Sequence, residues 1–237
     1  MFSHNFSVYN RRLMMPRSAA VNARWNGLTL GFIGDSANDV LGVNNGTLVN
    51  GATNTGGYFV FDGVNDAFSL PNNCFKPSGK FTIMFSIILN SVGNQFHISF
   101  GDGSAVNGII IYTPAGIGDI RMYNTNAGSP VITITSGYAP LTTGVEYHYT
   151  FVHDPTITNK NKVYVNGVLN NSNTTTGDPS FPSTSYSSFG AGKTGSSSYV
   201  NTTDGKIRSF YAFDGVALDA TTIAGIYNSG TLINYPN

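Results

Sequence analysis

The sequence predicts an all-β fold, a sandwich or barrel of short antiparallel strands with one short helix near the carboxyl end. Three observations carry this. Residues 80–89, KFTIMFSIIL, place Phe81, Ile83, Phe85, Ile87 and Leu89 on one side of a period-two pattern and Thr82, Met84, Ser86 and Ile88 on the other. From residue 58 onward, short apolar runs alternate with Gly, Asn, Asp and Pro. Only one stretch, ATTIAGIYN after Asp219, has helical spacing, with Ile223, Ile226 and Tyr227 on one face.

Taken in order, YFVF (58–61) and AFSL (67–70) flank a polar turn, and 80–89 is the most apolar strand and the candidate centre of the fold. Its β-branched and aromatic content suits a pleated, buried surface. Further strands are expected at 95–100, 108–113, 119–123, 131–135, 146–153, 162–166 and 206–213. VYVNGVL is a hairpin, since Asn166-Gly167 accommodates the positive φ angles of a type I′ turn. For the helix, Asp219 is the expected N-cap and Gly230 the expected terminator. The tetrapeptide FDGV occurs at 61–64 and again at 213–216. The flanks diverge and no hydrophobic period repeats, so this is Asp-Gly turn chemistry used twice and no domain duplication.

Composition narrows the function classes. The chain has 237 residues, 41% hydrophobic and only 10% charged, with no net charge. Neither nucleic acid nor a membrane surface is favoured by bulk charge. No apolar run approaches the ~20 residues of a membrane-spanning helix. One cysteine, Cys74, excludes an internal disulfide. The charge is unevenly placed: Arg11, Arg12, Arg17 and Arg24 all precede the first acidic residue, Asp35, and the remaining eight basic side chains face twelve acidic ones. Residues 1–29 therefore read as a basic, apolar arm and residues 30–237 as the β-domain. The arm mixes Phe2, Phe6, Tyr9, Leu13, Met14 and Met15 with its arginines. This mixture fits docking into a neighbour's apolar groove with the four arginines on its carboxylates. The first twenty residues lack the continuous apolar stretch of a secretory leader.

The order NDVLGVNNGTLVNGAT, YFVFDGVNDAFSLP, KFTIMFSIIL, VYVNGVL and DGKIRSFYAFDGVALDATTIAGIYNSG resembles the concanavalin A-like lectin/glucanase superfamily, in its laminin-G-like jelly-roll branch, over roughly residues 30–231. The resemblance implies a two-sheet antiparallel β-sandwich with a carbohydrate- or protein-binding surface on the concave face or the rim loops. It also implies the range of roles seen among such modules: sugar binding, adhesion, virion appendages and some glycosidases. Fold alone does not choose among them.

Glycoside hydrolysis needs two carboxylates about 5–9.5 Å apart. The single glutamate, Glu146, has His148 and Thr150 as its same-face neighbours, so the strand that carries it supplies no partner. Asp35 and Asp39 offer hard oxygen ligands for a structural calcium, against a reading as turn-forming side chains. GAGKTGS (190–196) lacks the first glycine of a phosphate loop, its place taken by Ser187. His4, His97, His148 and His153 have no zinc spacing. Cys74 reads as a structural thiol. Trp25, Tyr112, Tyr123, Tyr186 and Tyr199 are the aromatic candidates for stacking on sugar rings.

The expectation is a non-enzymatic structural or adhesion module. The expected setting is a bacteriophage virion protein (capsid decoration, head fibre or tail component), assembled in the host cytoplasm. It would be held to other virion proteins by its arm and would contact surface glycans, with no nucleic-acid or membrane partner. Association of copies into a homo-oligomer is compatible with such an arm. A free lectin and a glycoside hydrolase are the alternatives.

Overall fold

The computed structural model describes residues 23–102, 107–115, 118–126, 129–137, 141–174, 177, 179–230 and 233–235. The strands are β1 (Leu28–Ile33), β2 (Thr47–Val49), β3 (Thr53–Thr55), β4 (Tyr58–Asp62), β5 (Ala67–Leu70), β6 (Phe81–Leu89), β7 (Gln95–Gly101) and β8 (Gly108–Thr113). They continue as β9 (Arg121–Asn126), β10 (Ser129–Thr135), β11 (Glu146–His153), β12 (Asn161–Val165), β13 (Val168–Asn173), β14 (Tyr186–Phe189), β15 (Gly192–Lys193), β16 (Tyr199–Val200) and β17 (Asp204–Asp214). One helix, α1 (Ala220–Tyr227), follows.

Two antiparallel sheets face each other, as the family resemblance implies. The first runs β13-β12-β11-β6-β17-β4-β3, with β1 also on β17; the second runs β10-β9-β8-β7-β14-β5-β2. A two-stranded ribbon, β15-β16, stands apart. Between the sheets, Phe59 of β4 stacks on Phe68 of β5 at 4.6 Å and Phe210 of β17 meets Phe189 of β14 at 4.3 Å. Each such buried ring contributes roughly 1.5–3 kcal/mol.

β6 is central, and its five alternating apolar residues all enter this core. Its other face is buried too, which the sequence does not announce. Met84 joins a second apolar cluster with Trp25, Tyr211, Phe213, Ile223 and Ile226, where α1 and the chain before β1 lie over the first sheet. Asp219 caps α1 as expected, accepting from the Thr222 amide at 2.7 Å. The stop is Asn228 in the left-handed region (φ 45°), two residues earlier than the expected Gly230. Asn166 (φ 51°) and Gly167 (φ 78°) form the expected hairpin turn. Leu28 and Thr29, assigned from sequence to the arm, are the first residues of β1.

β17 is shared by three partners, and a bulge organises it. Ile207 pairs with Ile87 and Ser209 with Ser86, leaving Arg208 as the extra residue. Ile207 and Phe210 thus both enter the inter-sheet core. Before the bulge β17 pairs with β4; after it, with β1. At the opposite border the sheets are laced by asparagines of β13: Asn173 and Asn171 donate to the carbonyls of Thr133 and Thr135, and Asn170 Oδ1 accepts from Gly137 N. These side chains occupy an edge that would otherwise offer free backbone groups.

Candidate functional site

Three loops meet at one end of the sandwich: the turn after β4, the β6–β7 connection and the β16–β17 connection. They enclose a cleft of about 480 Å³ lined by Asp62, Gly63, Ser91, Gly93, Asn94, Gln95, Asn201, Thr202 and Asp204. Its floor is fastened. Gln95 Nε2 donates to Ser91 O and Oγ (3.2 and 3.1 Å), and Gln95 Oε1 accepts from Asp204 N at 3.0 Å. Asn90 Nδ2 donates to Asp204 Oδ1 at 2.9 Å. Asp62 and Asp204 are direct cross-strand partners. The Val64 amide, donating to Asp62 Oδ1 at 2.8 Å, is the largest influence holding the Asp62 carboxyl below its usual range. Val64, 76% exposed, and Val92 stand beside the cleft as apolar rim residues.

An aromatic strip lies on the second sheet and begins on β7, the strand that supplies Gln95 to the cleft. Phe96 follows Gln95 on β7, and its amide donates to Asn201 O at 2.6 Å. Phe96 and Tyr112 meet edge to face at 5.8 Å, and Tyr112 and Tyr123 at 6.4 Å, so three half-buried rings cross β7, β8 and β9. Amide, hydroxyl and carboxylate groups beside exposed ring edges and faces are the combination that holds a polyol with apolar C–H faces.

Of the aromatic candidates, the structure thus joins Tyr112 and Tyr123 and adds Phe96. Trp25 is removed from the set: it is 5% exposed, 4.8 Å from Tyr211 and stacked on Phe213. Tyr186 and Tyr199 are half-buried on β14 and β16, and among the described residues neither has a ring partner that extends the strip.

The Asp35/Asp39 pair is divided by its surroundings. Asp35 is exposed, whereas Asp39 is 3% exposed. Asp39 Oδ1 accepts from the amides of Gly31 and Leu41, and Oδ2 from those of Val43 and Asn44, at 3.0–3.3 Å. Four N–H groups aimed at one carboxylate fill the positions a cation would need. These donors do not fit calcium; Asp39 acts as a loop clamp. Among the described residues there is no group of three or more His, Cys, Asp or Glu side chains able to hold a metal. Arg11, Arg12 and Arg17 lie outside the described residues; Arg24, half-buried, directly precedes Trp25.

The remaining candidates have structural roles. His97 bridges Thr203 Oγ1 and Thr113 Oγ1 at 2.9 and 2.7 Å, and burial pushes its pKa down to about 3. Cys74 is raised to about 11, chiefly by burial. Lys193, within the phosphate-loop look-alike, is buried with Nζ on Ser69 Oγ at 2.8 Å. Glu146 Oε2 is taken by Arg208 at 2.7 Å and by the Tyr58 hydroxyl at 3.2 Å.

Sequence reasoning missed Ser91–Gln95 and Asn201–Asp204. Each is an ordinary polar loop, and only the pairing of β17 with both β4 and β6 brings them beside Asp62. The aromatic strip left a fainter signal, in the spacing of Tyr112 and Tyr123 on consecutive predicted strands.

A family model described as the concanavalin A-like lectin/glucanases superfamily matches residues 62–224. No curated protein matches the chain by sequence. Among solved structures, the chain is similar to domain 4 of AbnA, a GH43 extracellular arabinanase from Geobacillus stearothermophilus, in complex with arabinotriose. The TM-score is 0.63 at 17% identity, covering 84% of this chain and 97% of that one. It is similar to the botulinum neurotoxin serotype D ligand binding domain in complex with N-acetylneuraminic acid (TM-score 0.64, 16% identity, 90% of this chain and 53% of that one). Trypanosoma rangeli sialidase in complex with sialic acid gives 0.59 at 16% identity, 89% of this chain and 34% of that one. The chain thus spans about half of the neurotoxin domain and a third of the sialidase. At these identities the likeness establishes the fold.

Proposed function

The chain belongs to the concanavalin A-like lectin/glucanase superfamily, and from that premise we propose that it is a non-enzymatic adhesion module. Its rim cleft and aromatic strip hold glycan chains while its amino-terminal arm fixes it to a larger assembly. The observation that carries the first half is that one domain holds both a fastened polar cleft and three neighbouring rings, with β7 contributing Gln95 to the first and Phe96 to the second. Sugars are bound by that pairing of hydrogen-bonding groups with aromatic surface. The complexes of the arabinanase domain with arabinotriose and of the neurotoxin domain with N-acetylneuraminic acid support a glycan reading of this fold.

Several features weigh against hydrolysis. A glycosidase needs one carboxyl protonated while the other is ionised. Glu146 is committed to Arg208 and Tyr58; Asp62 is held low by the Val64 amide, and the one carboxyl beside it that burial raises, Asp66, accepts from the Asp62 amide and does not line the cleft. On the assembly side, four arginines before the first acidic residue, interspersed with large apolar side chains, support docking onto acidic protein partners. The setting proposed for that assembly is a bacteriophage particle, as a capsid decoration, head fibre or tail component.

A glycan array tests the binding half. Reproducible hits that disappear in both Tyr112→Ala and Tyr123→Ala are expected, and an array without hits, or hits indifferent to both changes, overturns it. Mass spectrometry of purified particles tests the other half: high copy number is expected, and absence from particles leaves a free lectin.

A further inference from the structure

On the outer face of the first sheet, away from the rim cleft, a pocket of about 230 Å³ is bounded by Ser86, Glu146, His148, Asn166, Tyr227 and Gly230. Three buried polar atoms of its lining residues, Ser86 Oγ, His148 Nδ1 and Glu146 Oε1, have no hydrogen-bond partner among the described residues, and neither do Ser209 Oγ and Thr150 Oγ1 elsewhere on that face. Ser86 and Ser209 are each 1% exposed and His148 3%. Their coincidence follows from register. Ser209 pairs with Ser86 across β17 and β6, and Ser86 with His148 across β6 and β11, so the three side chains form one cross-strand row. Native folds rarely leave buried polar groups unanswered, and several in one place mark a position completed by something else.

We infer that this pocket is a second binding site, separate from the rim cleft and on the outer face of the first sheet, for a single neutral sugar ring or comparable small polyol. Its unpaired lining atoms are a hydroxyl, which donates and accepts, an imidazole nitrogen and a carboxylate oxygen, a mixture that matches a run of alcohol groups. The Tyr227 ring lies over His148 at 5.6 Å, giving the pocket an aromatic wall for a C–H face. Neutrality follows from the charges present. Arg208 is already on Glu146 Oε2 and on the Tyr58 hydroxyl, Lys206 is held over the Tyr58 ring, and no Lys or Arg among the described residues lines the pocket. His148 is uncharged, its pKa pushed down to about 3 by burial. Gly230, which bounds the pocket, ends the run of three positive-φ residues, Asn228, Ser229 and Gly230 (45°, 54° and 94°), that stops α1. The volume suits one ring, whereas the open rim cleft suits a chain.

The test is a chemical-shift titration of the ¹⁵N-labelled protein. The neutral probes are the methyl glycosides of glucose, galactose, mannose and N-acetylglucosamine, and glycerol. Acetate and inorganic phosphate are the anionic probes. At least one neutral probe is expected to move the amides of Ser86, His148 and Tyr227 and the His148 imidazole nitrogens, with the anions inert. Ser86→Ala should weaken that response roughly tenfold while its melting temperature is unchanged or raised, because it deletes a buried hydroxyl with no partner. A merely structural serine would lose stability instead. Tyr227→Ala, at the pocket wall, should weaken the response without changing shifts at Ser91–Gln95. No pocket shift with any neutral probe overturns the inference. So do shifts from anions alone, or a sugar response that survives both substitutions. Loss of array binding in the Tyr112 and Tyr123 variants with an intact response here separates the two sites.

Discussion

Arg208 meets Glu146 at 2.7 Å, and the Tyr58 hydroxyl bridges them, donating to Glu146 and accepting from the Arg208 guanidinium. The contact depends on the β17 bulge, which makes Arg208 the unpaired residue of its strand. Lys206 lies over the Tyr58 ring at 4.6 Å, so the chain's single glutamate sits in a cationic, aromatic frame. Both ends are partly solvated, with side chains 37% and 28% exposed, which limits the strength of the pair. A double-mutant cycle on Arg208→Ala and Glu146→Gln, read by urea unfolding, should give a coupling of about 1 kcal/mol that shrinks with added salt. A coupling near zero at low salt would remove the pair from the account of this face.

Asp39 supports a different prediction, because its carboxylate answers four amides of one loop. Asp39→Ala leaves those donors without acceptors and should cost about 2–4 kcal/mol by chemical denaturation. Asp39→Asn, keeping one acceptor oxygen, should lose less. Added calcium and a chelator should both leave the melting temperature of the unaltered protein where it is, since a ligand bound only by the native state would raise it.

The sandwich was readable wherever one strand carries its own signal. Phe81 to Leu89 alternate so strictly that no other period fits, and Asp219, Asn166 and Gly167 have local chemistry that needs no tertiary context. The short strands around Leu48, Asn54 and Tyr199 were not readable. They are Thr-, Asn- and Ser-rich, and pairing partners supplied by distant segments hold them as strands. Burial of Ser86 and His148 was illegible for a related reason. A period-two pattern sorts faces but does not tell that α1 and Trp25 will cover the outer one. Asp35 and Asp39 look equivalent in sequence; which of them turns inward depends on where the Gly31 amide lies.

The two histidines with low pKa values predict a pH profile. Burial holds His97 and His148 at about 3, against roughly 6.5 in an unfolded chain. The unfolded state therefore binds their protons more readily. The stability conferred by burying them neutral is complete above pH ~6.5 and is lost as pH falls from there toward 3. Each histidine contributes a slope of about 1.4 kcal/mol per pH unit inside that window. Urea denaturation between pH 7 and pH 4 should show this decline. His97→Gln, which can still bond Thr113 and Thr203, should remove about half the histidine slope. An unchanged slope in that variant would show that other groups set the acid limit.

Trp25 sets where the amino-terminal arm can be cut. It is buried against Tyr211, Phe213 and Tyr235, with ring centroids 4.8, 6.2 and 5.7 Å away, and so belongs to the packing that covers β6. A cut before residue 23 retains Trp25 and its three ring partners. A chain beginning at residue 23 should keep its melting temperature and its glycan response but lose incorporation into particles, since it lacks Arg11, Arg12 and Arg17. A chain beginning at residue 27 also loses the indole, at a cost of about 3–5 kcal/mol, the range for deleting a large buried aromatic side chain. Comparing the two truncations separates attachment from folding. If the longer chain still enters particles, the arginines do not anchor it; if the shorter one melts at the same temperature, the indole is not part of the core.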